Sequence, residues 1–156
     1  MPDEFLAPEL EAHFPNLRRG EYRKTSKKCF RYNCIAHAAE RNDTWWWPCI
    51  GTGIYWPEGV PLEETVDCFV HAYATQGYEV CEHLNVEVEA GFQKLAIYVD
   101  DDGAPTHAAR QLPSGEWTSK LGREEDIVHQ KLEAVGDASS GSVGYGRVHV
   151  ILKRPV

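Results

Sequence analysis

The order of elements along the chain predicts an α+β domain. Two helical stretches, at about residues 34–41 and 62–75, come first, and from Gln93 onward the apolar period becomes that of strands. Compact turns at Asp101-Asp102-Gly103 and Pro113-Ser114-Gly115 then fold those strands antiparallel. A chain of 156 residues suits one domain and buries enough surface to build a core without disulfide or metal.

Residues 1–28 read as a lead-in, broken by Pro2, Pro8 and Pro15, with room for a short helix at 8–14. Residues 29–156 form the domain proper. Asn33 stands as an N-cap before the alanine-rich run Cys34-Ile-Ala-His-Ala-Ala-Glu-Arg41, which places Cys34 in the first turn of a helix. The stretch from Thr44 to Pro61 holds four of the five tryptophans together with three prolines and three glycines, so it reads as a long ordered loop packing aromatic rings. Leu62–Thr75 carries apolar residues at 62, 66, 69, 70, 73 and 74, one helical face, and Gly77 stops it. Strands follow at 94–100, 106–112 and 116–121. A helix is expected at 127–135, a Ser/Gly loop at 136–144 and a last strand at 145–154.

Charge and cysteine usage exclude several functions. Sixteen basic residues against 24 acidic ones leave a net charge of -8, which disfavours a phosphate-neutralising surface and hence nucleic acid. The start MPDEFLAPELEAHFP is no secretory signal, and no apolar run is long enough to span a membrane, so no membrane partner is expected. Five cysteines, an odd number without CxxC spacing, argue against a disulfide framework and against a zinc ribbon, and a reducing cytoplasm fits them best. No metal and no cofactor is expected: no histidine pair has HExxH spacing, and Asp100-Asp101-Asp102 reads as a solvated turn. Gly141, Gly144 and Gly146 precede a strand and so do not cradle a phosphate.

What remains is thiol chemistry. A nucleophilic cysteine needs a stabilised thiolate, which the positive end of a helix favours, and a histidine base held by a third polar group. Cys34 meets the first need, and His107, near the start of a predicted strand, is the candidate base. If Leu112 pairs with Glu116 across the 113–115 turn, paired positions sum to 228; His107 then faces Leu121, with Ser119 its diagonal neighbour on the same face. Ser119 is therefore the candidate orienter, Lys120 points away, and Gln111 lies farther along the strand. His37, one helical turn from Cys34, projects outward beside it without converging on a substrate. His129 is placed to cap the sheet or approach the site.

The segments Tyr32-Asn33-Cys34-Ile-Ala-His-Ala, Thr106-His107-Ala-Ala-Arg-Gln and Trp117-Thr-Ser119-Lys120-Leu-Gly122 resemble, in order and placement, the papain-like superfamily of thiol hydrolases, including its compact NlpC-type branch. Residues 30–154 also resemble a bacterial protein family carrying NCIA, YWP, THAARQ and WTSKLG segments, which brings no activity with it. The superfamily resemblance implies helices packed on an antiparallel sheet around a papain-like core. The expected function is a thiol hydrolase or acyl transferase acting on a peptide, amide or ester bond. In it Cys34 attacks, His107 moves the proton and Ser119 orients the imidazole. The Cys34 N–H and Asn33 are candidates for the oxyanion site, and Trp45, Trp46, Trp47 and Trp56 for a substrate wall. The rival expectations are a non-catalytic binding module of immunity or adaptor type that uses the aromatic loop, and an inactive papain-like domain.

Overall fold

The computed structural model describes residues 14, 16–17, 22–27, 29–121, 125–136 and 144–156. Among the described residues, nine strands and two helices follow one another: β1 (Tyr22–Lys24), α1 (Cys34–Ala38), β2 (Trp45–Trp46), β3 (Ile54–Tyr55), α2 (Val66–Ala74), β4 (Glu79–Val80), β5 (Phe92–Val99), β6 (Pro105–Gln111), β7 (Trp117–Lys120), β8 (Asp126–His129) and β9 (Arg147–Pro155), with a 3-10 turn at Leu132–Val135 before β9. Seven strands make one sheet in the order β1-β8-β7-β6-β5-β9-β4, every pairing antiparallel, and β2 pairs with β3 as a small parallel ribbon.

This overturns the expected α+β architecture of helices packed on a sheet around a papain-like core. The fold is β-rich, because the helices span only five and nine residues while strands arise where none was expected. Residues 127–129, read as the start of a helix at 127–135, belong instead to β8 (Asp126–His129). All four residues of β8 are buried, so the covered sheet leaves no alternation of polar and apolar residues to betray a strand. The aromatic loop supplies β2 and β3, and Tyr22–Lys24 of the lead-in forms an edge strand against β8. Helix α1 ends early, because Glu40 takes a left-handed backbone at φ 63° and its carboxylate is held by Gln93 and Arg154. The expected helix at 8–14 and most of the expected loop at 136–144 lie outside the described residues.

Two apolar cores flank the large sheet. One gathers Phe14, Leu17, Tyr22, Tyr98, Trp117, Ile127 and Val135. The other joins Ile35 of α1 and Phe69 and Tyr73 of α2 to Trp46, Leu95, Ile97 and Ala108. The β6–β7 hairpin matters most for the site. Its observed pairs, Arg110 with Thr118 and Gln111 with Trp117, each sum to 228, as the turn at 113–115 requires. No helix among the described residues is long and apolar enough to cross a membrane.

Candidate functional site

Asn33 organises the start of α1. Its Oδ1 accepts from the backbone N–H groups of Ala36 and Trp46, both at 3.1 Å, and its Nδ2 donates to the Trp46 carbonyl at 2.7 Å. One side chain thus caps the helix and ties the aromatic loop to it, leaving one amide hydrogen for a ligand. We expect Asn33→Ala to cost about 2 kcal/mol, the loss of a cap plus a buried backbone pair left unsatisfied, read as a lower midpoint in chemical denaturation.

Beside this cap lies a cavity of about 260 Å³ lined by Asn33, Cys34, Trp45, Trp47, Thr106 and Tyr145. Trp45 also walls a broader, more open cleft of about 770 Å³ that continues to Phe30, Arg31, Asp43 and Ile54. Two of the four candidate tryptophans therefore face a pocket. The other two line neither of these. Trp46 is 1% exposed and lies against Tyr73 and Tyr55, and Trp56 packs on Phe69 and donates its indole N–H to the Pro61 carbonyl.

The Cys34 thiol opens α1 as expected, but its burial pushes its pKa up to about 11. Backbone hydrogen bonding from Ala108, Ile35 and Cys34 itself, and then the charge of Lys120, act in the opposite direction without prevailing. A helix start favours thiolate, yet in a five-residue helix under a closed core the desolvation is larger. The resting sulfur is a thiol. Its contact is with the backbone of Ala108, the residue after His107 in β6, and successive strand residues face opposite sides of the sheet: Cys34 and Ala108 belong to one core, while His107 meets Tyr98 of the other.

His107 is fully buried, and its Nε2 lies 2.9 Å from the Ser119 hydroxyl, the partner that the hairpin register selects. Tyr145 stacks flat on the imidazole at 4.1 Å, and Tyr98 meets it edge-on at 5.1 Å. Burial holds its pKa well below the usual 6.5, with smaller contributions from His129 and His37. The other ring nitrogen, Nδ1, is buried and has no hydrogen-bond partner among the described residues. Tyr145 borders both, since its ring covers His107 and lines the Cys34 cavity, and its carbonyl accepts from the Thr106 hydroxyl.

The competing side chains are engaged elsewhere. His37 Nε2 meets the Thr118 hydroxyl at 2.9 Å, in a buried polar cluster with Asp126, whose carboxylate accepts from the Tyr32 hydroxyl at 2.8 Å. Lys120 Nζ donates to the Cys29 carbonyl, and Gln111 Nε2 to the Val86 carbonyl, so neither orients His107. Asp100 closes its own turn by accepting from the N–H groups of Asp102 and Ala104. Among the described residues, no three His, Cys, Asp or Glu side chains gather in a way that could hold a metal.

One participant, Tyr145, escaped the sequence reading. Tyr145 lies beyond the Gly/Ser-rich stretch, where nothing in the local pattern ties it to β6. His129, which the sequence placed to cap the sheet or approach the site from a helix expected at 127–135, lies instead on β8, where Ile127 pairs with Ser119 and His129 with Trp117.

Residues 23–153 match the family model described as Domain of unknown function (DUF7689). No curated protein and no solved structure matches the chain.

Proposed function

The chain belongs to the family described as Domain of unknown function (DUF7689), and within that family, to which no reaction is attached, we propose that it is a thiol hydrolase or acyl transferase acting on a peptide, amide or ester bond. The observation that carries this reading is the His107–Ser119 hydrogen bond, which occupies one ring nitrogen and leaves the other unpartnered, with Tyr145 both stacked on that ring and lining the same pocket as Cys34.

In this reading Cys34 Sγ adds to the substrate carbonyl while its proton passes to His107 Nδ1, which requires the two groups to be brought together past the Tyr145 ring when substrate binds. His107 then returns the proton to the leaving alcohol or amine as the tetrahedral adduct collapses to a thioester. Water, or an acceptor nucleophile, releases the acyl group by the same steps in reverse order of roles. Because the thiol rests protonated and the imidazole neutral, the pair works by general-base transfer during attack and not as a standing ion pair. The Cys34 backbone N–H and the second Asn33 amide hydrogen are the donors available to the developing oxyanion. Trp45, Trp47 and Tyr145 would clasp an apolar or aromatic substituent of the substrate. A reducing cytoplasmic setting suits the five free cysteines.

An activated ester tests this. With p-nitrophenyl acetate at pH 7.5, the acetyl adduct should appear on Cys34 in peptide mass mapping, ahead of exposed Cys49. His107→Ala should slow its formation by roughly 10²-fold or more, the usual loss on removing a general base. Acetylation that favours Cys49, or a Cys34 rate indifferent to His107, would remove the reading. The second reading, a non-catalytic binding module, is favoured by the open cleft, where Phe30 is 72% exposed. It predicts an inert Cys34 together with a partner that quenches Trp45 fluorescence on binding.

A further inference from the structure

The hydrogen bonds behind His107 do not end at Ser119. The Ser119 hydroxyl also lies 2.7 Å from His129 Nε2, and His129 Nδ1 lies 2.8 Å from the Lys131 carbonyl. His107, Ser119 and His129 are each fully buried, so solvent offers no alternative partner at any link.

The protons in this chain can be assigned from its far end. A carbonyl oxygen only accepts, so His129 Nδ1 must carry the hydrogen that points at Lys131. A neutral imidazole has a single N–H, which leaves His129 Nε2 as an acceptor. Neutrality is supported by burial, which lowers the His129 pKa to about 4. Ser119 has one hydroxyl hydrogen, and it must go to His129 Nε2. The serine oxygen can then only accept from the other side, so the hydrogen on His107 sits on Nε2, and His107 Nδ1 is left as a bare lone pair. That is the nitrogen without a partner.

We infer that His129 is a positioning residue: through Ser119 it fixes His107 as the Nε2–H tautomer, whose open Nδ1 can accept a proton or a hydrogen bond. The catalytic consequence rests on the thiol-hydrolase reading, whereas the tautomer itself follows from the hydrogen bonds alone. Ser119 is then a relay and not the terminus of the site. On its own a serine hydroxyl can donate or accept, so it cannot choose a tautomer for its neighbour; the Lys131 carbonyl, acting through His129, makes the choice.

Long-range 1H–15N correlation spectra of the full uniformly 15N-labelled chain at pH 7.5 read the tautomers directly. The expected spectrum shows His107 protonated at Nε2 and bare at Nδ1, and His129 protonated at Nδ1 and bare at Nε2. A His129 ring protonated at Nε2, or a His107 ring protonated at Nδ1, overturns the inference without any variant. His129→Phe removes the acceptor that aims Ser119, so the His107 signals should move toward a mixture of tautomers. His129→Gln, whose amide oxygen can stand in for the Nε2 lone pair, should restore the Nε2–H form. If Cys34 is acetylated as proposed, its rate should fall roughly tenfold in His129→Phe and recover in His129→Gln, in line with the usual effect of outer partners on a functional histidine. Unaltered tautomers in His129→Phe would also sink the inference. The expected tautomers with an inert Cys34 would uphold the relay and remove the hydrolase reading, so the two failures are distinguishable.

Discussion

Acidification from pH 7 to about pH 4 should remove on the order of 3 kcal/mol of stability through His129 alone. Its folded pKa is about 4 against the ordinary 6.5 of an imidazole, and each pKa unit is worth about 1.4 kcal/mol. The sign follows from which state binds the proton. Below pH 6.5 the unfolded chain protonates this imidazole while the folded protein, having buried it, does not. Stability from this group is therefore complete above 6.5, falls as pH drops through the window from 6.5 to about 4, and is level below it. His107 and His37 shift in the same direction for the same reason, desolvation, and steepen the loss. Guanidinium midpoints measured at half-unit steps between pH 7.5 and 4.5 should decline from near 6.5 downward. A flat profile to pH 5 would show that these histidines are not held neutral in the fold.

Replacing Trp46 by alanine should cost about 3–5 kcal/mol, the range for removing a large aromatic ring from a closed core. The ring is 1% exposed and lies between Tyr55 and Tyr73, and its backbone N–H and carbonyl are both held by Asn33. Losing it leaves a cavity under the very segment that Asn33 clamps to α1, so Trp45 and Trp47 lose their footing as well. Trp45→Ala gives the contrast: that ring is half-buried at a cavity wall, and its removal should cost little stability while enlarging the pocket. Denaturation curves of the two variants, run side by side, check both statements. Equal losses would mean that Trp45 belongs to the core.

Tyr145 bears on how a substrate could reach the imidazole. Its ring stacks on His107 and lines the cavity, and it stays in place through the bond from Thr106 to its carbonyl and through its own N–H to the Val135 carbonyl. A dry environment strengthens the relay behind His107, and burial in the other core keeps the Cys34 thiol protonated.

The features legible in the sequence were those set by neighbouring residues. An N-cap acts within four positions, so Asn33 marked the start of α1 and put Cys34 in its first turn. A two-strand hairpin is governed by its turn, so Pro113-Ser114-Gly115 alone determined the register that sets Ser119 beside His107. Tertiary structure decided whatever depended on how much water a group loses. Burial overrode the helix start at Cys34 and raised the thiol. Coverage of both sheet faces erased the alternation at 126–129, so 127–129 read as the start of a helix and His129 was not set on the strand that pairs with Ser119's strand. The same coverage turned a domain expected to be α+β into a β-rich one, because short edge strands such as Tyr22–Lys24 and Glu79–Val80 exist only by pairing with partners more than seventy residues away. Local chemistry sets caps and turns, whereas desolvation and long-range pairing are properties of the assembled chain, and no window of the sequence contains them.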